Sequence, residues 1–192
     1  MMKRMKPKKN LAVSILALLL VMLCAAIASA APDPKGVLGL HWGDSEQRGD
    51  EIAGRHGLKF TKERTASSVI NERQYEGTLG GKRVRATFRY YGRRFFGARL
   101  DFADDSETNF FLLRDMLEEN YGAATRYAGN AGENGASECY WSKGDVRFSL
   151  RLLQSGTARL EYVRASDLQK AMKDAKSKQR DERERMKRAL VE

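Results

Sequence analysis

VRATFRYYGRRFFGARLDF, the stretch from Val84 to Phe102, gives the clearest indication of the fold. On both sides of Gly92-Arg93, apolar and polar residues alternate with a period of two, which is typical of two half-buried strands joined by a tight turn. The pattern assigns one face of this hairpin to the core and the other to solvent. The predicted inward residues are Val84, Ala86, Phe88, Tyr90, Phe96, Ala98, Leu100 and Phe102. Phe95 falls in the outward set.

The sequence before this hairpin extends the antiparallel arrangement. Gly80-Gly81 is typical of a two-residue hairpin turn and connects the hairpin to a predicted strand over Val69–Leu79. A short helix over 45–56 and a weakly marked extended stretch from about Leu58 to Glu63 precede that strand.

The sequence after the hairpin repeats the same order. Asp104 and Glu107 have the spacing of a capping box and predict the start of a second helix, which ends at Gly122. A glycine-rich loop over 128–136 follows. Three further strand signals then cover Ser137–Ser142, Val146–Leu153 and Ala158–Val163.

These patterns predict an α+β domain over 31–163, built from two tandem helix-plus-antiparallel-meander units in two layers. The two pseudo-repeats cover about 36–103 and 104–163, and Val84 and Val146 begin equivalent strands. Because one unit has too small a core to be stable alone, two copies sharing one sheet are expected. A long charged C-terminal helix, capped by Ser166 or Asp167, is predicted over 166–190 within the segment 164–192.

The first thirty residues have the pattern of a secretory signal peptide. Residues 1–10 are basic, Leu11–Ala28 is almost wholly apolar, and Ala28-Ser29-Ala30 fits a cleavage site. We therefore expect a cleaved signal over 1–30 and a periplasmic or otherwise extracytoplasmic protein, with no stable membrane span after cleavage. An uncleaved N-terminal membrane anchor is one alternative. A lipoprotein attached at Cys24 is another, although Leu23 is larger than the residue expected before a lipidated cysteine.

Charge argues against a nucleic-acid partner. The chain has 35 Lys and Arg against 25 Asp and Glu, for a net charge of +10. Most of the excess lies in the predicted signal and in the tail 164–192, so the body of the protein is nearly neutral. The body therefore lacks the basic footprint of a nucleic-acid-binding domain.

No residue pattern indicates a catalytic, metal or cofactor site. His41, Asp44 and His56 match no ligand motif, and the acids around Asp104 are explained by helix capping. The glycine-rich loop lacks the Lys-Ser or Lys-Thr of a phosphate-binding loop. Cys139 remains alone after signal cleavage, and two interpretations stay open: a buried apolar side chain, or a thiol that reacts or forms an intermolecular disulfide. The sequence leans against an enzyme.

The outward faces of the predicted strands carry many arginines, opposed there by Asp101 and Glu161. Arginine forks and aromatic faces are suited to carboxylates, phosphates and protein interfaces. The alternative is that the arginine stems only cover an exposed sheet face. The candidate partner-binding residues are Arg83, Arg85, Arg89, Tyr91, Phe95, Arg99, Arg147, Arg151 and Arg159.

The order of elements, the export signal and the segment Gly39-Leu40-His41-Trp42-Gly43 before the first helix resemble exported proteins of the bacterial envelope. The comparison is with the beta-lactamase-inhibitor-protein fold and with small outer-membrane assembly lipoproteins of the SmpA/OmlA type. The resemblance covers roughly 36–163 at the level of element order. It implies a binding or assembly role rather than catalysis.

The sequence thus predicts a non-catalytic interaction or assembly module. Its expected partner is an envelope protein or an anionic envelope component, bound through the arginine-rich sheet face, the C-terminal helix, or both. The alternative is a small-ligand-binding protein or small hydrolase of the cell envelope that uses a cleft between the helices and the loop 128–136.

Overall fold

The computed structural model describes residues 34–128 and 137–190. The predicted signal peptide with Cys24, and the part of the glycine-rich loop at 129–136, lie outside the described residues. In chain order the elements are β1 (Gly36–Val37), β2 (Leu40–His41), α1 (Glu46–Arg55), β3 (Lys59–Ser67), β4 (Ile70–Leu79), β5 (Lys82–Tyr91), β6 (Arg94–Phe102), α2 (Ser106–Tyr121), β7 (Arg126–Ala128), β8 (Glu138–Lys143), β9 (Val146–Leu153), β10 (Thr157–Arg164) and α3 (Ala165–Ala189).

Eight of these strands form one sheet in the order β3-β4-β5-β6-β10-β9-β8-β7, with every neighbouring pair antiparallel. The first half consists of α1 and the meander β3–β6, and the second half of α2 and the meander β7–β10. The predicted α+β fold of two helix-plus-meander units with a C-terminal helix is confirmed.

The pairing of β6 with β10 relates the two halves by an approximate two-fold rotation, because the last strand of each meander runs antiparallel to the other. Val84 lies opposite Phe102 in the first half, and Val146 lies opposite Arg164 in the second. Both members of the second pair follow those of the first by 62 positions. This offset identifies which residue of one half corresponds to which residue of the other.

The hydrophobic core lies on one face of the sheet, under α1 and α2. Ile52 and Ala53 of α1, and Phe110 and Leu117 of α2, belong to the same buried cluster as the inward strand residues. The largest inward side chains are aromatic and almost completely buried, and they include Tyr75, Phe88, Tyr90, Trp141 and Phe148. Burying such rings is the main apolar contribution to a domain of this size.

A bulge in β6 changes the face to which Phe95 belongs. The pairing shifts so that Tyr90 lies opposite Phe95, whereas Arg89 lies opposite Gly97. Phe95 is therefore fully buried in the core and stacks on Trp42, with ring centroids 5.3 Å apart. The prediction that Phe95 lies on the outward face is wrong, because a strict period of two does not continue across an inserted residue.

The first two helices begin in different ways. Ser45 caps α1, since its hydroxyl accepts a hydrogen bond of 3.2 Å from the backbone N–H of Arg48. The capping box predicted for α2 is wrong. That helix begins after Asp105, which has a left-handed backbone (φ 47°) and makes no side-chain cap, while Asp104 forms an ion pair with Arg83 on β5.

The start of α3 is held by a residue outside the helix. The Asp145 carboxylate accepts hydrogen bonds from the hydroxyl of Ser166 and from its backbone N–H, the latter at 3.0 Å. The predicted cap by Ser166 or Asp167 is therefore wrong. Asp145 lies in the turn between β8 and β9, and only the folded sheet brings that turn to the end of β10.

The helix α3 crosses one end of the sheet and then continues beyond it. Ala171 is fully buried, the hydroxyl of Tyr91 donates to the carboxylate of Asp174, and the ammonium of Lys178 donates to the carbonyl oxygen of Ser68 at 3.2 Å. Residues 176–190 are all exposed. Among the described residues, no helix is both long and apolar enough to cross a membrane.

Candidate interaction face

The face of the sheet opposite α1 and α2 is called the open face here. The outward side chains of the eight-stranded sheet form it, and α3 crosses one end of it, near Tyr91 and Ser68. Strand register places its residues in rows that run across the sheet, perpendicular to the strands. Three rows contain most of the arginines predicted to bind a partner.

The first row contains three acids and three arginines. It reads Glu76, Arg85, Asp101, Arg159, Arg151 and Glu138 from β4 to β8. The Nε of Arg85 lies 2.8 Å from the Oε1 of Glu76, and the Nε of Arg159 lies 2.6 Å from the Oδ1 of Asp101. The arginines of this row are thus held in fixed positions by acidic neighbours.

A second row surrounds one buried acid. Glu72 on β4 is 1% exposed and lies between Arg64 on β3 and Arg89 on β5. Arg64 donates to it at 2.7 Å and Arg89 at 3.0 Å. Burial by itself would raise the pKa of Glu72, but the hydrogen bonds and positive charge of the two arginines outweigh burial and hold the pKa below its usual range.

A third row, between these two, passes through the two-fold axis. It reads Lys62, Gln74, Thr87, Arg99, Glu161, Ser149, Tyr140 and Arg126 from β3 to β7. Arg99 and Glu161 are neighbours at the centre, and they are equivalent positions of the two halves. The row therefore places a cation in the first half where the second half has an acid.

Sequence reasoning missed the acids of β4 and β8. Glu72, Gln74 and Glu76 have the spacing of two residues that one face of an alternating strand would give, but polar residues on both faces of INERQYEGTL obscure which face is inward. Glu138 begins a short strand with a similarly weak pattern. These acids make the open face less positive than the arginines alone would make it.

The other candidate residues differ in the partners that their side chains contact. Arg83 is paired with Asp104, and Tyr91 is hydrogen-bonded to α3. Arg151 forms an ion pair with Glu161 across β9 and β10. Arg147 is exposed, and no acid among the described residues lies within 4 Å of its guanidinium. Arg147 is thus the candidate arginine with the least compensated charge.

The residues considered for metal or thiol chemistry do not form one site. His41 and Asp44 form a local turn, in which the Asp44 carboxylate accepts from the His41 backbone N–H at 2.8 Å, whereas His56 contacts the Leu38 carbonyl oxygen. Within 34–128 and 137–190, no three His, Cys, Asp or Glu side chains are grouped to hold a metal ion. Cys139 is fully buried, and burial raises its pKa to about 11.

A groove of about 540 Å³ lies on the other side of the sheet, beside α2. Its floor contains Leu100, Leu160 and Tyr162, and residues of α2 form one wall. Leu112 and Met116 at its rim are each 50% exposed. Concave, mostly apolar surfaces of this size are typical of small-molecule sites.

The chain matches no protein-family model, no curated protein and no solved structure.

Proposed function

We propose that the protein is an exported, non-catalytic interaction module of the cell envelope that binds an acidic protein surface through its open face. The observation that carries this proposal is the position of the helices. Both α1 and α2 pack on one face, so the opposite face of the sheet keeps its arginines exposed or half-buried along most of its width.

The fixed positions of side chains on the open face support recognition of a defined partner. Ion pairs with Glu76 and Asp101 hold Arg85 and Arg159 in place while leaving part of each guanidinium exposed. Fixed side chains lose less conformational entropy on binding than free ones do. Arginines still outnumber acids on this face, which favours an acidic partner through charge complementarity.

Charge reversal tests this proposal. Arg85→Glu combined with Arg147→Glu changes two partly exposed positions far apart on the face. Arg89 is left unchanged, because its loss would leave Glu72 buried with one partner fewer. The matched control is Arg183→Glu with Arg185→Glu, which makes the same charge change on the exposed end of α3.

The measurement is quantitative enrichment from envelope extracts, with each bait shown to be folded by thermal unfolding. We expect the Arg85/Arg147 variant to lose a partner of acidic surface by about tenfold or more, and the control to keep it, since like charges that face each other at an interface cost several kcal/mol. The wild-type enrichment should fall at high salt. Equal enrichment by the wild type and the Arg85/Arg147 variant contradicts the proposal.

The exposed end of α3 is the alternative contact surface, and it is tested separately from the open face. Residues up to Lys178 are anchored on the sheet, so deleting 166–192 would disturb the fold as well as the contact. Deleting 179–192 removes only the part that projects from it. Loss of the partner on this deletion, with no effect of the Arg85/Arg147 variant, would instead place the function in the C-terminal helix.

The apolar groove beside α2 favours a second candidate function, the binding of a small apolar ligand. Met116→Trp would place a large side chain at the rim of the groove. If the groove binds a ligand, native mass spectrometry of the purified protein shows an added mass that decreases in this variant. The same mass on both proteins argues against the groove as its site.

A further inference from the structure

A small basin on the open face lies within the first half of the sheet. It has a volume of about 210 Å³ and is lined by Lys62, Arg64, Glu72, Gln74, Arg85, Thr87 and Arg99. Gln74 and Thr87 are neighbours across β4 and β5 and form its floor. Longer side chains from the neighbouring positions form the walls around these two shorter ones.

The charges around the basin are unbalanced. Its one acid, Glu72, already accepts hydrogen bonds from Arg64 and from Arg89, which lies just outside. No acid among the described residues lies within 4 Å of the ammonium of Lys62. Arg85 and Arg99 are paired with Glu76 and Asp101 outside the basin, so the positive charge that remains is that of Lys62 and the excess of Arg64 and Arg89 over Glu72.

The floor of the basin also offers hydrogen-bond donors. The guanidinium of Arg99 donates to the hydroxyl oxygen of Thr87 at 3.4 Å, which leaves the hydroxyl proton free to donate. The Nε of Arg99 is buried and makes no hydrogen bond, although it lies 3.3 Å from the Oδ2 of Asp101. The Gln74 amide adds a neutral donor at the same place.

The equivalent place in the second half has different side chains. The 62-residue offset matches Thr87 with Ser149 and Arg99 with Glu161, and the same row puts Tyr140 where the first half has Gln74. A tyrosine ring occupies space that a glutamine leaves open. Glu161 is also acidic and is already paired with Arg151. The two halves thus share a backbone frame, but they differ in charge and side-chain size at this place.

We propose that this basin binds a single carboxylate, the side chain of an Asp or Glu on the partner protein. The inference rests on the proposed function of the open face and names the group that the face recognises. Planar guanidinium forks bind planar carboxylates in a fixed geometry, and the basin has two of them, from Arg85 and Arg99, above neutral donors. Its volume accommodates a carboxylate with its short aliphatic stem.

The probe is N-acetyl-glutamate amide, which carries one side-chain carboxylate and no other charge. It is titrated into the full chain at constant ionic strength, and backbone amide shifts are followed by NMR. Inorganic phosphate is titrated in parallel. The variants are Thr87→Val, which removes the hydroxyl at constant shape, and Lys62→Gln, which changes an exposed side chain. Ser149→Val is the matched control at the equivalent position of the second half.

We expect saturable shifts centred on Thr87 and Arg99. Because a hydrogen bond to a charged group is strong, affinity should weaken by about tenfold in Thr87→Val and stay unchanged in Ser149→Val. Lys62→Gln should also weaken binding. Linear, unsaturated shifts spread over the whole open face overturn the proposal, because they indicate charge screening alone. Tighter binding of phosphate than of the carboxylate probe overturns the assignment to a carboxylate.

The two proposals can fail separately. If Arg85/Arg147 reversal abolishes partner capture but Thr87→Val and Lys62→Gln bind both the partner and the probe normally, the open face is the interface and the basin is not its carboxylate site. If the probe binds the basin but charge reversal leaves partner capture unchanged, the basin binds carboxylates and the proposed interaction function is wrong.

Discussion

The hydroxyl of Tyr90 occupies the space that a side chain on Gly49 would need. A Cβ built on Gly49, in the middle of α1, would lie 1.9 Å from the Tyr90 hydroxyl oxygen. Tyr90 is fully buried, and Phe95 packs on its ring with centroids 6.0 Å apart, so the ring cannot move aside easily. A glycine that weakens the helix by propensity therefore permits the close packing of α1 on β5.

Gly49→Ala should destabilise the protein although alanine is the better helix former. The clash is expected to cost about 1–3 kcal/mol, which exceeds the roughly 1 kcal/mol gained from propensity. Gly54→Ala in the same helix is the matched control, because nothing lies within 4 Å of its built Cβ. It should stabilise by about 0.5–1 kcal/mol. Urea unfolding of both variants measures the difference, and equal effects would contradict the role of Tyr90.

Adding Tyr90→Phe to Gly49→Ala should recover part of the lost stability. Removing the hydroxyl frees space for the new methyl group, and the Tyr90 hydroxyl makes no hydrogen bond that would be lost. A double-mutant cycle measures the coupling between the two positions. Strict additivity of the two single changes would show that the strain in Gly49→Ala lies elsewhere.

Glu72→Gln should cost about 1–3 kcal/mol of stability at pH 7, because it removes charge-assisted hydrogen bonds from Arg64 and Arg89. The matched control is Glu76→Gln. Glu76 also pairs with an arginine, but its side chain is 50% exposed, so its loss should cost less than about 1 kcal/mol.

The cost of Glu72→Gln should depend on pH. The arginines hold the pKa of Glu72 in the folded protein below the ordinary value of 4.5, so its contribution is complete above that value. As pH falls through the folded pKa, the carboxylate is protonated and the contribution is lost. The difference in unfolding free energy between wild type and variant should therefore shrink in acid. A difference that stays constant down to pH 2 would show that it is not electrostatic.

Asp145→Ala should loosen the start of α3. It removes the acceptor for the Ser166 N–H and hydroxyl, and loss of a helix cap typically costs about 0.5–2 kcal/mol. Asp181→Ala on the exposed end of the same helix is the control, with an expected change within about 0.5 kcal/mol. Thermal unfolding and amide exchange of residues 165–171 are the measurements. Unchanged exchange in Asp145→Ala would mean that the later contacts, through Ala171, Asp174 and Lys178, hold the helix.

Cys139 should be unreactive in the folded protein. Its side chain is fully buried and its pKa is raised to about 11, so little thiolate exists at pH 8. In a full chain carrying Cys24→Ser, a thiol reagent should label Cys139 slowly in buffer and rapidly in denaturant. On a denaturing gel without reductant, the protein should also show no disulfide-linked dimer. Rapid labelling in buffer would show that β8 opens readily.

Local pattern was sufficient for the longer elements of this protein, whereas the short strands β1, β2 and β7 were not predicted. The alternation in VRATFRYYGRRFFGARLDF, the Gly80-Gly81 turn and the periodic apolar residues of 106–121 each depend on neighbours close in the chain, so a sequence displays them directly. For the same reason the repeat was visible: the second half reproduces the order of elements of the first.

Features that depend on residues far apart in the chain could not be predicted from the sequence. The bulge that turns Phe95 inward, the ion pair that takes Asp104 away from α2 and the use of Asp145 to hold α3 all involve partners brought together by the sheet. The sequence indicated that arginines line one face, but it did not show that Glu72, Glu76 and Glu138 lie between them. Register decides such pairings, and register is a property of the assembled strands.

The sequence by itself determined the α+β architecture, because hydrophobic periodicity and turn residues act over a few positions. Only the tertiary structure decided where charge remains uncompensated. The row through Arg99 and Glu161 joins strands from both halves, and its two ends differ because Gln74 leaves open a space that Tyr140 fills. The basin exists through cross-strand neighbours that are far apart in the chain.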